Sequence, residues 1–191
     1  MQATHRHLLM FATAVLAAPL AEAHPLNAHG DALQAFVHPF AGIDHVAAML
    51  VIGLWAGLAA PARRLLAPLA FVGGLVGGAA LGALGVAMPA VETGIALSVL
   101  LLGPLAARDA RLPALLSFAA CALAGVFHGH AHGVELSGQG WAGACFVLGS
   151  VLLHGIGYGI ARHAGRSGRV ATLRSALSAS GVLGLGLMWL A

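Results

Sequence analysis

The sequence predicts an all-α, polytopic membrane protein with six transmembrane helices behind a cleavable signal peptide. Of its 191 residues, 60% are hydrophobic and only 8% are charged, and the mean hydropathy is +0.93. Several apolar runs reach the roughly 20 residues that a helix needs to cross a bilayer. The chain has no lysine, and its nine arginines stand in short stretches. The excess of arginine over acidic residues is therefore attributed to the loops that orient the protein in the membrane. Nucleic acid is not expected as a partner.

Residues 1–23 show the pattern of a secretory signal. A weakly basic start precedes the apolar run Leu8 to Ala21, and Ala21-Glu22-Ala23 is a typical cleavage site. The mature chain would begin at His24, with residues 24–37 as a periplasmic leader and 38–191 as the six-helix domain. The amine and ring nitrogen of an N-terminal His24 could chelate a metal together. A purely solvated leader is equally consistent with the sequence.

The remaining chain divides into six apolar spans: 38–60, 66–87, 90–107, 113–135, 141–161 and 171–190. With the mature N-terminus outside, the cytoplasmic connections are 61–65, 108–112 and 162–170. These hold or adjoin all eight arginines that follow the signal peptide, whereas the outer connections 88–89 and 136–140 hold none. The positive-inside rule therefore predicts that both mature termini are periplasmic.

Glycine is spaced for close helix contact in the second and fourth spans. It recurs every four residues, at Gly74, Gly78, Gly82, Gly125, Gly129 and Gly133. Such stripes of small residues let helix backbones approach each other. In the fourth span the glycine stripe lies beside a polar stripe, so the polar side chains should lie at a tight helix seam.

That polar stripe belongs to the segment F-H-G-H-A-H-G-V-E, residues 127–135. His128, His132 and Glu135 are spaced i, i+4 and i+7, so they share one helix face. His130 would point the other way unless the segment unwinds. Ionisable groups inside a span usually face a cavity, a partner helix or a transport path. The stripe is suited to half of a site for a borderline divalent cation. The alternative is a set of hydrogen bonds that tie helices together.

The first span carries a second set of polar residues. His38 and His45 are i, i+7 and so are predicted to share one helix face, with Pro39 in the first helical turn. Asp44 would be a direct ligand or would orient a histidine. At about 1.5 Å per residue, this set and the fourth-span set lie at matching heights in the outer half of the bilayer.

The motifs H-P-x-x-G-x-D-H in the first span and F-H-G-H-A-H-G-x-E in the fourth resemble the HupE/UreJ family of nickel and cobalt permeases. The segment from Pro89 to Gly103 is similar to that family's third span. The resemblance implies that the functional polar groups are His38, Asp44, His45, His132 and Glu135. It adds Glu92 and Phe71, which composition alone would predict to be a solvated helix start and lipid-facing packing.

The resemblance implies uptake of Ni²⁺ or Co²⁺ across a bacterial inner membrane, to supply urease or hydrogenase assembly. The metal would be the transported substrate, with no permanent cofactor and no enzymatic activity. The expected partners are the lipid bilayer, the metal ion and accessory proteins of those enzymes. The sequence lacks G-x-x-x-x-G-K-[ST], so no nucleotide hydrolysis is expected from this chain.

Some alternatives stay open at this stage. His154, deep in the fifth span, would be an exit-side relay for the ion or a histidine bonded to a neighbouring carbonyl. For the whole chain, the alternatives to metal uptake are electron transfer through a bis-histidine haem, metal sensing or assembly without transport, and metal export.

Overall fold

A computed structural model describes residues 32–108, 111–135 and 140–190, and within them the secondary structure is entirely helical. The predicted signal peptide and most of the predicted leader, including His24, lie outside the described residues. A short 3₁₀ helix, Pro61–Arg63, precedes the third of the α-helices. The α-helices, numbered here in chain order, are α1 (Ala32–Ala41), α2 (Ile43–Leu58), α3 (Leu66–Ala83), α4 (Val91–Ala107), α5 (Ala114–Glu135), α6 (Gly140–Arg166) and α7 (Val170–Leu190).

The prediction that the first span is one continuous helix is wrong, because the structure divides this segment into two helices, α1 and α2. α1 and α2 meet at 82°, and Gly42 between them has an extended backbone with φ −92° and ψ 125°. Pro39 lies near the end of α1 and not in a first helical turn. It has no N–H to donate to the preceding turn, which weakens the helix just before the break. His38 and His45 therefore lie on two different helices.

Helices α3 to α7 begin within a residue of the predicted spans, but α6 ends later than predicted. It continues through Arg166, so Arg162 and Arg166 are helical and not in a loop. Its 27 residues correspond to about 40 Å, which exceeds the roughly 30 Å of a bilayer's hydrocarbon core. α6 is therefore longer than one crossing of the apolar region requires.

By length and composition, three of the described helical segments are apolar enough to cross a membrane: Pro61–Ala83, Ala114–Val134 and Trp141–Arg166. The bent pair α1 and α2 makes a fourth if it is counted as one span, and α4 is a shorter apolar helix. Helices of this length and apolar composition are typical of a membrane protein.

The glycine stripes confirm the predicted close contact, because α3 and α5 pack backbone against backbone. A Cβ atom added at Gly74 would overlap the carbonyl oxygen of Ala122 on α5, and one added at Gly78 would overlap that of Val126. The same holds in reverse for Gly129, which faces the carbonyl of Leu75 on α3. No side chain fits at these crossings, so the two helices form one tight pair.

A second tight pair joins α2 and α6. A Cβ at Gly53 would overlap the backbone of His154, and one at Gly157 would overlap the carbonyl of Leu50. Contacts between the two pairs are much sparser than contacts within them. The core between the pairs holds large buried side chains, including Met49, Trp55 and Phe71.

Arginine side chains tie together the end of the bundle opposite to His45 and His132. Arg63 donates to the carbonyl of Leu112 and to the Ser117 hydroxyl, each at 3.2 Å. Arg174 donates to the carbonyls of Leu58 and Ala107, at the C-terminal ends of α2 and α4. A cation there complements the negative ends of both helix dipoles. The structure thus brings arginine-bearing connections to one end, as the charge distribution predicted.

Candidate metal centre

Four histidines from three helices form a cluster where the two tight helix pairs face each other. The ring centroids of His45 and His132 are 4.5 Å apart, those of His38 and His132 are 4.7 Å apart, and those of His45 and His128 are 4.9 Å apart. The prediction that the two motifs meet at one height is confirmed. The break at Gly42 brings the α1 ring and the α2 ring toward the same α5 face. We refer to His38, His45, His128 and His132 as the outer cluster.

The proton positions at His45 follow from its neighbours. Its Nδ1 lies 2.8 Å from the Asp44 carboxylate, which has no proton to give when ionised, so Nδ1–H is the donor. That leaves a lone pair on Nε2, which faces Nε2 of His132. Of the two roles predicted for Asp44, this contact favours orienting a histidine.

His128 is completely buried, and its proton position follows from Ser98 on α4. The Ser98 hydroxyl donates its one hydrogen to the Ile95 carbonyl at 2.7 Å, so it accepts from His128 Nε2–H at 3.0 Å. His128 Nδ1 is then the unprotonated nitrogen, and it has no hydrogen-bond partner in the described part of the chain. Ser98 was not predicted, because its only signal in the sequence is a hydroxyl in an apolar span.

Two phenylalanines border the outer cluster. Phe146 on α6 packs on His132 with ring centroids 4.4 Å apart, and it also approaches His38 and His45. Nothing in the sequence distinguished it from packing. Phe71 on α3 is 0% exposed, with its ring centroid 5.8 Å from that of His128. The composition-based interpretation of Phe71 as lipid-facing is therefore wrong.

Three other predicted residues lie outside the outer cluster. His130 points away from it and donates from Nε2 to the Val86 carbonyl at 2.7 Å, since α5 remains helical there. Glu92 is exposed in the first turn of α4. Glu135 is the last residue of α5, but its side chain, like all of His24, lies outside what the structure describes.

His154 lies in the middle of α6, on the other side of Phe71. It is 5% exposed, and its ring meets that of Phe71 edge-on at 5.4 Å between centroids. Its Nε2 finds no hydrogen-bond partner among the described residues. The predicted alternative of a bond to a neighbouring carbonyl is thus not seen at this nitrogen.

The arrangement offers imidazole nitrogens to a cation of borderline softness, the class that includes nickel, cobalt and zinc. Nε2 of His45 and Nε2 of His132 are in direct contact, so the two rings must separate before both nitrogens can bind one ion. Within the described segments, no three histidine, cysteine, aspartate or glutamate side chains are already arranged to hold one ion. A third ligand therefore requires rotation of a further side chain, such as His38 or His128.

Comparison with known proteins gives two matches that cover most of the chain. The family model described as HupE / UreJ protein matches residues 12–188. Protein HupE of Rhizobium leguminosarum bv. viciae is 39% identical over 164 residues, which cover 82% of this chain and 85% of the relative. No solved structure matches.

Proposed function

Because the chain belongs to the HupE/UreJ family, which is associated with nickel and cobalt transport, we propose that it is a permease for Ni²⁺ or Co²⁺. It would take up the ion to supply urease or hydrogenase maturation, with their accessory proteins as partners. The observation that carries this proposal is the outer cluster, in which four imidazoles from three helices lie together between apolar helices. Buried imidazoles at such a seam are costly to a membrane protein unless they serve a ligand or a path.

The proposed topology has a signal peptide, a periplasmic leader and six spans in the bacterial inner membrane, with both mature termini outside. α1 and α2 together form the first span. The outer cluster then faces the periplasm, since His45 lies at the start of α2 and His132 near the end of α5. The arginine-tied end faces the cytoplasm.

In the proposed mechanism, a hydrated cation first meets the exposed carboxylate of Glu92 and the leader with His24. It then exchanges water for Nε2 of His45 and Nε2 of His132, which lie in direct contact and would separate around the ion. Asp44 holds the His45 tautomer that keeps this lone pair available. His38 or His128 completes the coordination by side-chain rotation, and Glu135 is a further candidate ligand.

The ligand set supports a transition metal over magnesium or calcium, which prefer oxygen ligands. Ligand chemistry alone ranks nickel above cobalt and copper(II) above both. Discrimination against copper therefore requires a constraint on coordination geometry.

The outer cluster also bears on the haem alternative. Bis-histidine ligation needs the two rings on opposite faces of a porphyrin. Nε2 of His45 and Nε2 of His132 instead contact each other directly, and Phe146 packs on His132. This geometry disfavours a haem between α2 and α5.

The first test is uptake of radioactive nickel by cells that express the chain, at matched protein levels in the membrane. We expect the wild type to accumulate nickel and His45→Ala and Glu135→Ala to lose uptake. His163→Ala, at an exposed position of α6, is the matched control and should behave as wild type. If the wild type accumulates neither nickel nor cobalt but binds them, the sensor alternative replaces the permease. Release of preloaded metal would instead indicate export.

A further inference from the structure

We propose that His154 is a second binding station for the metal ion, reached from the outer cluster by passage of the Phe71 ring. The inference rests on the proposed function, because it concerns where the ion goes after the outer cluster. It assigns His154 a ligand role and Phe71 the role of a movable barrier.

Aromatic rings form an unbroken series of contacts from His38 on α1 to His154 in the middle of α6. From His38 this chain of rings passes to His132, His45, His128, Phe71 and His154, and each consecutive pair of centroids is between 4.5 and 5.8 Å apart. Phe71 is the one link of this chain without a nitrogen. It contacts a histidine of the outer cluster on one side and His154 on the other.

The chain of rings also runs inward. His128 is seven residues from Glu135 at the outer end of α5, which corresponds to about 10 Å. His154 is fourteen residues from Gly140 at the outer end of α6, or about 21 Å. In the proposed topology His154 is therefore about 10 Å deeper than His128, the outer-cluster histidine that lies farther in along α5.

The two histidines that contact Phe71, His128 and His154, each have a buried ring nitrogen without a hydrogen-bond partner among the described residues. These nitrogens are Nδ1 of His128 and Nε2 of His154. Buried polar groups are normally satisfied, and an unsatisfied one calls for an explanation. A residue needed only for packing at position 154 would be apolar. An imidazole there provides a ligand atom for a cation that passes Phe71.

A single imidazole holds a partly hydrated ion weakly, and this suits a transport path. Conduction requires sites that bind well enough to accept the ion and weakly enough to release it. The outer cluster, with several imidazoles, would be the tighter and more selective site.

The backbones of Phe71 and His154 are each packed tightly within their own helix pair, so rotation of the Phe71 side chain is the smallest movement that opens the barrier. The Phe71 carbonyl packs against Gly125 of α5, where no Cβ would fit. The His154 carbonyl packs in the same way against Gly53 of α2. Rotation of the Phe71 ring therefore opens the way without displacement of either helix backbone.

The test uses the purified full-length chain, with radioactive nickel as the transported probe. We expect His154→Leu to lower nickel uptake into proteoliposomes by about tenfold or more, the scale of losing a metal-site group. Nickel binding by the detergent-solubilised variant should persist, because the outer cluster is intact. His163→Leu, on the same helix but exposed, is the matched control and should change neither quantity.

A spectroscopic readout tests whether metal reaches this position. In His154→Cys, added Co²⁺ should produce a thiolate-to-cobalt charge-transfer band above that of the wild type, which carries the same two native cysteines. Addition of Phe71→Trp, a larger ring, should slow the appearance of that band. The additional band requires coordination of cobalt by residue 154. It therefore tests whether the metal reaches this position even if His154→Leu folds poorly.

Wild-type uptake by His154→Leu, or no additional band in His154→Cys at saturating cobalt, would overturn the inference and leave the proposed function intact. If the wild type itself transports neither metal, the proposed function fails and the inference fails with it.

Discussion

At His45 the two ring nitrogens have separate roles. Nδ1–H is held by the Asp44 carboxylate, and Nε2 faces Nε2 of His132. A carboxylate behind a ligating imidazole fixes its tautomer and raises its basicity. The side chain of Asp44 is 39% exposed, whereas the His45 ring that it orients is buried. If His45 binds the ion as proposed, the charge of Asp44 would act on the ion through His45.

This arrangement predicts the effect of Asp44→Asn. The amide has nearly the same shape as the carboxylate, but it lacks the negative charge that raises the basicity of His45. We expect nickel affinity to fall by about 10- to 100-fold while the protein remains folded. Equilibrium nickel binding to the purified variant measures this, with thermal unfolding as the check on folding. Unchanged affinity would show that Asp44 does not act through His45.

Uptake should also depend on pH, since only neutral histidine has a lone pair for a metal. As pH falls below the ordinary pKa of histidine, about 6.5, protons compete with the metal for imidazole nitrogens. We expect uptake to be high at pH 7.5 and lost at about 5.5. Nickel uptake by proteoliposomes at fixed membrane potential measures this dependence. Equal uptake at both pH values would argue against histidine ligation.

At the scale of helices, glycine decides which surfaces meet. In α3 a Cβ added at Gly78 would overlap the Val126 carbonyl, whereas a Cβ at the neighbouring Gly77 would have no atom within 4 Å. The two positions share a helix and a residue type, and they differ in the face they occupy. The outer cluster depends on this crossing, because it sets the distance of α5 from the core.

Substitution of alanine at these two glycines should therefore affect the stability of the protein differently. Gly78→Ala forces the α3 and α5 backbones apart, and we expect it to destabilise the protein by about 1–3 kcal/mol. Gly77→Ala should be neutral or should stabilise by up to about 1 kcal/mol, since alanine favours helix more than glycine does. Thermal unfolding in one detergent compares the pair. Equal effects of the two substitutions would mean that close backbone contact does not hold these helices together.

Sequence patterns predicted the features that repeat along a helix. The glycine stripes and the position of His128 and His132 on one face both follow from helical periodicity. The break at Gly42 was not predicted, because the i, i+7 spacing of His38 and His45 assumed one continuous helix. Ser98 and Phe146 were missed since their roles arise only when separate helices pack together. The contacts between separate helices cannot be derived from the sequence pattern of one segment, whereas helical periodicity can.

For the whole molecule, the position of the outer cluster follows from how the two tight pairs assemble. α3 pairs with α5, and α2 pairs with α6, each through glycine. His45 belongs to one pair and His132 to the other, so the ion would bind across the sparsely packed boundary between them. Transporters commonly bind substrate where two such units meet and move against each other. The tight pairs are thus the natural rigid bodies for any larger rearrangement in transport.

The six-span topology gives a prediction for the entire chain, and α4 is its critical element. α4 has only 17 residues, yet it must cross the membrane if the connections 61–65 and 108–112 lie on the arginine-rich side. Arg63 and Arg174 already tie those connections to one end of the bundle. Alkaline phosphatase, which is active only outside the cytoplasm, should therefore be active when fused within 88–89 or 136–140. It should be inactive when fused within 61–65, 108–112 or 167–169. Activity on both sides of α4 would mean that this helix does not span, and that the arginines of the two connections lie on opposite sides of the membrane.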